Sequence, residues 1–385
     1  MKAVLRLAPL CLALLALPAG AKVFVASQVF VAADDGKQIL IDGVQTVPLH
    51  PAADTVTVFT LKGDRPHVLA TLTAPSSVIG PPCSVAISPD GRYAIVTAAK
   101  KVAADPSQIA PDDTVTVIAL KDRPHIVQST KAGAGASGVA FSPDGRRVLI
   151  ANRAAGTVSL FGFDAGRLTL LDTLDLGNVT AAPASALFLA DGKRALLTRD
   201  GDNQVSLLTM TGDKLMLDPQ PVMSSPRPYE VTSGRARRYA VVGSVDGVGT
   251  KIDAISLIDL SGRRPTVIDT EIAGVTVEGV RMSADSRYIA ATVTNGTNMP
   301  HTAPTWRALS ELQIWTIRAG KLVRLASAPM GPWAQGAAWS RDDRRIVVES
   351  MDAGLIQVFG FDGRHLSHRT DLPVTPDPAG IAGSE

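Results

Sequence analysis

Short apolar runs rich in Val, Ile, Leu and Ala alternate with turn residues along almost the whole chain, and one phrase recurs among them. Its clearest copies are Val85-Ala86-Ile87-Ser88-Pro89-Asp90-Gly91-Arg92-Tyr93 and Val139-Ala140-Phe141-Ser142-Pro143-Asp144-Gly145-Arg146-Arg147. Degraded copies place the same anchor at positions 33, 189, 234, 283 and 340, giving seven copies spaced 45 to 57 residues apart. A period of that size signals a repeat architecture. Pro presets φ for the second position of a type I turn and Gly is favoured at the fourth, so Ser-Pro-Asp-Gly reads as a hairpin turn. The flanking β-branched and apolar residues suit a pleated surface.

Within the third repeat a strand ends at Ser142, and further strands are expected over 147–152, 157–163 and 168–174. Four antiparallel strands per repeat make one propeller blade. Seven anchors therefore predict an all-β fold, a seven-bladed β-propeller of four-stranded antiparallel blades. The one helix candidate lies around 306–312, inside an insertion. The tail 378–383 looks like a further innermost strand that could close the ring on the N-terminal blade, and the sequence leaves open which blade it completes.

The first residues read as a secretory signal. Lys2 and Arg6 precede an apolar stretch over 7–17, and Ala19-Gly20-Ala21 offers a small-residue cleavage site. The apolar stretch is shorter than the roughly 20 residues of a membrane span. The expected division is thus a signal over 1–21 and one propeller over 22–385, in the periplasm or secreted, with no membrane insertion after cleavage. Without Lys2 and Arg6 the chain carries 36 basic and 36 acidic residues, and no basic run points to nucleic acid. Cys83 is the one cysteine beyond the signal, which excludes an internal disulfide, and at the start of an inner strand it reads as structural.

The repeats resemble the bacterial YVTN-type β-propellers, which are related to the lactonase-like propellers. The resemblance rests on Ile150-Ala151-Asn152 followed by Gly156-Thr157-Val158-Ser159-Leu160, and on Ala291-Thr292-Val293-Thr294-Asn295. It covers the chain beyond the signal, but its motifs specify architecture. The wider group includes lactone hydrolases, subunits of amine-oxidising quinoproteins and secreted proteins of unknown role, so the fold alone does not carry the function. Lactonase-type members carry a His ahead of the turn. Here the equivalent approaches are Gly-Ala-Ser-Gly-Val and Pro-Pro-Cys-Ser-Val, which puts lactone hydrolysis in doubt.

Two features locate candidate sites. Blades 1, 2 and 6 carry insertions over 42–54, 99–113 and 295–310, all between the second and third strands and hence on one face. Around a closed ring they should crowd one side of that face and form a wall or lid, and long loops in compact domains are disproportionately functional. They hold His50, then Lys100, Lys101 and Asp105, then His301, Trp306 and Arg307. The second feature is the ring of residues where inner strands begin. It includes Gln28, Cys83, Ser137, Tyr229, Glu230, Glu278 and Gln335, with Arg281 close behind. Two carboxylates at one restricted opening would raise each other's pKa or hold a cation, and a guanidinium beside them would keep them ionised.

The expected function is a binding module for an unknown small molecule or periplasmic protein, acting through the insertion-bearing face with Gln28, Tyr229, Gln335, His50, His301, Trp306 and Arg307. The competing reading is a lactonase-like hydrolase with Glu230 or Glu278 as general base and Arg281 steadying an oxyanion. A third is a propeller subunit of a periplasmic oxidoreductase. Whether the chain is an enzyme stays open at this point. No cofactor or metal is expected. Cys-x-x-Cys-His, His-Glu-x-x-His and Gly-x-Ser-x-Gly are all missing, and Asp200-Gly201-Asp202-Asn203 reads as a turn. The twin triplets Arg65-Pro66-His67 and Arg123-Pro124-His125 fall at equivalent turns between third and fourth strands, facing away from the insertions.

Overall fold

The computed structural model describes residues 28–245 and 253–385; the signal-like segment lies outside them. Seven antiparallel sheets stand in a closed ring. Their innermost strands are Asp377–Gly383 in blade 1, Val85–Ile87 in blade 2, Ala136–Phe141 in blade 3 and Pro183–Phe188 in blade 4. Pro228–Ser233, Val277–Met282 and Ala334–Trp339 follow in blades 5, 6 and 7. Among the described residues no helix is long and apolar enough to cross a membrane.

The continuous apolar runs follow from burial on both faces of each blade. On the second strand of blade 3, Arg147–Asn152, Val148 and Ile150 pack toward blade 2 while Leu149 and Ala151 pack toward blade 4. Successive side chains of a strand point to opposite faces, so a strand sandwiched between neighbours is apolar at every interior position. The core is accordingly distributed as seven clusters, one between each adjacent pair of blades.

Where the recurring phrase keeps both its Ser and its Asp, it closes the hairpin as a small polar cage. In Ser88–Gly91 the Gly91 amide donates to Ser88 O (2.8 Å), and Ser88 Oγ donates to Asp90 Oδ1 (2.6 Å). The Arg92 amide then donates to the same carboxylate and the Tyr93 amide to Ser88 Oγ, both at 3.0 Å. Gly91 sits at φ +69°, the left-handed region where glycine is favoured. The cage repeats at Ser142–Asp144 and Ser340–Asp342.

The structure corrects the phase of the first repeat. Val29–Asp35 is the second strand of blade 1, pairing on one side with Thr55–Lys62 and on the other with the C-terminal strand Asp377–Gly383, which is the innermost. Gln28 therefore lies on the turn face and not beside the insertions, its amide donating to Trp339 O and Ser384 O. Residues 306–312 form no helix: Ser310–Arg318 is the third strand of blade 6. Its alternation fits, with Leu312 and Ile314 buried in the interface with blade 7 and Trp315 turned toward blade 5.

The three insertions do share one slot and one face. Blade 1 adds a hairpin, Ile39–Ile41 with Val44–Thr46, and blade 2 adds Lys100–Val102 with Ile109–Pro111. The first and third insertions meet across the top of blade 7. His301 Nδ1 and the His301 amide both contact Asp42 Oδ1, at 2.6 and 2.7 Å, and Gly43 lies against Met299 and Pro300.

Candidate functional site

The channel is blocked part-way by its own chain. Blade 2's inner strand is three residues long because the segment before it, Gly80-Pro81-Pro82-Cys83, crosses the axis. The Ile381 amide of blade 1 donates to Pro82 O (3.2 Å), and the Val139 amide of blade 3 donates to Cys83 O (3.1 Å). On the far side Pro82 lies against the inner strands of blades 6 and 7. A Cβ added to Gly279 would stand 3.2 Å from its ring, and one on Gly336 would stand 3.1 Å away. Both glycines sit in crowded surroundings, where an added Cβ would also press on Thr292 and Gln335 O at Gly279 and on Ile381 and Glu349 at Gly336.

Beneath this plug a cavity of about 360 Å³ opens toward the tight turns, on the face opposite the insertions. Cys83, Ser185 and Glu230 lie at its inner end, Arg281 and Trp339 on its wall, and Arg235, Arg237, Arg341 and Glu385 toward the mouth. Four guanidiniums meet two carboxylates there, so the lining carries an excess of two positive charges. Such a cleft focuses potential on anions.

Glu230 is buried, and each of its two oxygens accepts one hydrogen bond. Its Oε2 accepts from the Val280 amide (2.9 Å) and its Oε1 from Arg281 (3.2 Å). Burial raises its pKa, with Arg281 pulling the other way. Arg281 also donates to Ala337 O (3.3 Å), and its own carbonyl accepts from the Trp339 indole (2.9 Å), which ties the guanidinium into the wall. Cys83 donates to Ser185 Oγ (3.3 Å), and burial, reinforced by Glu230, pushes its thiol up to about 12. It lies buried in the floor. Arg237 donates to Phe188 O, and burial lowers its pKa against the pull of Glu385.

Tyr229 and Glu278, each the second residue of its inner strand, belong to the other side of the plug. Burial raises Glu278 to about 8, with Arg227 the leading counter-influence. Tyr229 is buried with the Arg153 guanidinium 5.7 Å from its ring centroid. Above them Asp200 joins Arg153 and Arg227 in one salt-bridged cluster from blades 3, 4 and 5. Gln335, at the same register in blade 7, is wholly buried and neither atom of its amide has a protein partner.

The structure thus separates residues that the sequence reading grouped. Glu230 and Arg281 share the turn-face cavity, joined by Gln28 from an unexpected side, whereas Glu278, Tyr229 and Gln335 do not line it. His50 and Arg307 are exposed in their insertions, and Trp306 stacks at a tilt on His301, with ring centroids 4.7 Å apart. Among the described residues no cluster of three or more His, Cys, Asp or Glu side chains is arranged to hold a metal.

Sequence reasoning missed Arg235, Arg237, Arg341, Trp339 and the Pro82 plug. One signal for the arginines was present. Pro89 and Pro143 follow their anchors directly, and the same position holds Arg235 and Arg341 in blades 5 and 7. All four line the cavity, so exchange of proline for arginine at that register changes its rim from apolar to cationic.

No family model matches the chain, and no curated protein matches it. Solved structures of the same fold do. A protein of Bacteroides fragilis, provisionally assigned as a 6-phosphogluconolactonase, superposes with a TM-score of 0.70 at 15% identity, covering 95% of this chain and 100% of that one. The periplasmic gluconolactonase of Pseudomonas aeruginosa gives 0.68 at 14% identity over 94% and 99% of the two chains. Hydrazine synthase of Kuenenia stuttgartiensis gives 0.62 at 15% identity over 80% and 91%. At these identities the likeness is one of fold.

Proposed function

We propose that this propeller is a periplasmic binding protein for a small anionic molecule of the sugar-acid type, held in the turn-face cavity. The observation that carries the reading is the blind, arginine-rimmed pocket itself. It is closed by Pro82 and Cys83, large enough for a small ligand, and two positive charges in excess. A carboxylate or phosphate would meet guanidinium donors, which form its strongest hydrogen bonds. Glu230 and Ser185 at the inner end would receive hydroxyl groups.

A lactonase-like hydrolase is the second reading, favoured by the raised pKa of Glu230 beside Arg281 and by the names of two fold neighbours. Binding ranks ahead of it because both Glu230 oxygens already accept hydrogen bonds, one of them from a guanidinium that disfavours proton uptake.

Calorimetric titration with D-gluconate and 6-phosphogluconate, with D-glucose as the neutral control, tests the proposal. Saturable heat with either anion and none with glucose supports it; three flat titrations overturn it. Turnover of glucono-δ-lactone that Glu230→Gln abolishes, with the fold intact, would move the protein to the hydrolase reading.

A further inference from the structure

The rim of the cavity already holds a carboxylate. Arg235 Nε donates to Glu385 Oε2 at 3.0 Å, and Arg237 next to it lies close enough to feel the same charge. The two ion pairs of the cavity differ sharply in what it takes to open them. Glu230 is buried against Arg281, so removing it would leave the Val280 amide without its acceptor and the part-buried Arg281 guanidinium without its counter-charge. The side chains of Arg235 and Glu385 are 55% and 57% exposed. An exposed pair of that kind contributes little and exchanges readily for another anion.

We infer that Arg235 and Arg237 form the seat for the anionic group of the ligand, and that Glu385 occupies this seat as a tethered, displaceable anion until a ligand arrives. The inference rests on the cavity being a ligand site and adds two things to it: the residues that read the charge, and a built-in competitor that sets the threshold for binding. Guanidiniums fit carboxylate and phosphate alike, so the seat is defined by charge and hydrogen-bond acceptors. Arg341 donates to Ser384 Oγ (3.3 Å) beside the seat. A neutral molecule gains nothing by displacing Glu385, which makes the cap a filter against uncharged sugars.

The test is calorimetric titration of the full chain with D-gluconate and, separately, inorganic phosphate, on wild type, Glu385→Gln, Arg235→Gln and the double variant. Glu385→Gln should tighten binding about two- to fivefold, the worth of an exposed ion pair. Arg235→Gln should weaken it about tenfold. In the double variant the gain from Glu385→Gln should shrink, because the competitor and the ligand share one partner. The gain should also fade as salt is raised. Wild-type binding that Glu385→Gln leaves unchanged or weakens overturns the cap while leaving the cavity reading in place. Absence of binding to both wild type and Glu385→Gln overturns the two together. Binding that appears only in Glu385→Gln supports the cap in its strongest form.

Discussion

The two ends of the channel are built from the same seven inner strands and yet differ in kind. At the insertion end the polar groups are spent on one another: Asp200 clamps Arg153 and Arg227, and Glu278 and Tyr229 lie buried beneath them. Long loops from blades 1 and 6 add a clasp over blade 7. At the turn end the connections are as short as hairpins allow, and the polar groups are left facing a cavity with charge to spare. On the proposed reading, loop length is a poor guide to the site in this protein. The segment at Pro82 narrows the channel and leaves a pocket on the turn side.

On the proposed reading the insertion end serves stability and the turn end binding, and the largest expected effect is on pH-dependent stability. Glu278 is raised by burial from an ordinary 4.5 to about 8. The folded state thus holds a proton that the unfolded chain releases near 4.5. The corresponding stability is complete below pH 4.5 and is lost as pH rises through about 8, at roughly 1.4 kcal/mol per unit of separation. Thermal melts between pH 5 and 8 should show a falling Tm. Glu278→Gln, which stays neutral, should make that fall shallower, the rest coming from other buried carboxyls such as Asp34, raised to about 7; a slope unchanged by the substitution would remove Glu278 from the account.

Next in size is Glu349, buried beside the plug. Its Oε2 and Oε1 accept from the amides of Gly336 and Gly380 (3.1 and 3.2 Å), joining blade 7 to the C-terminal strand of blade 1. Glu349→Ala leaves two buried donors without acceptors and should lower unfolding free energy by about 3 kcal/mol in urea titration. A loss below about 1 kcal/mol would mean that the closure does not depend on this carboxyl.

The sharpest contrast comes from a pair of arginines. Arg281→Gln should weaken gluconate binding about tenfold by removing a charge-assisted hydrogen bond. Arg153→Gln, across the plug, should leave affinity within about twofold. Equal losses at both would erase the distinction between the two ends. The smallest effect belongs to the clasp, where His301→Ala breaks an exposed pair with Asp42. It should change stability by no more than about 0.5 kcal/mol and leave binding untouched.

The architecture was legible because it is written repeatedly. The Ser-Pro-Asp-Gly cage and the apolar runs each encode a local geometry, and their regular return left little room for another fold. The three insertions and their common face followed from the same register. The first repeat was misread because Val29–Asp35 and its Asp34-Asp35-Gly36-Lys37 sequel imitate an inner strand and turn. In the fold Lys37 is buried instead, bonded to Asp35, Asp54 and Ser76 O.

The site was half legible. Glu230 and Arg281 were picked out together, and the fold pairs them. Glu278 was grouped with them although one step in strand register puts it across the plug. That plug depends on a backbone path across the axis, packed against Gly279 and Gly336 of blades 6 and 7, which lie 197 and 254 residues from Pro82 in the chain. Such distant complementarity leaves no trace in local periodicity.

The most direct test of which end works is hydrogen–deuterium exchange of the chain with and without saturating D-gluconate. Slowed exchange is expected around 231–237, 281–284 and 339–343, where the inner strands of blades 5, 6 and 7 reach the turn face. The insertions at 36–54, 99–113 and 294–309 should be unchanged. Protection confined to the insertions would contradict the assignment and return the site to the opposite face.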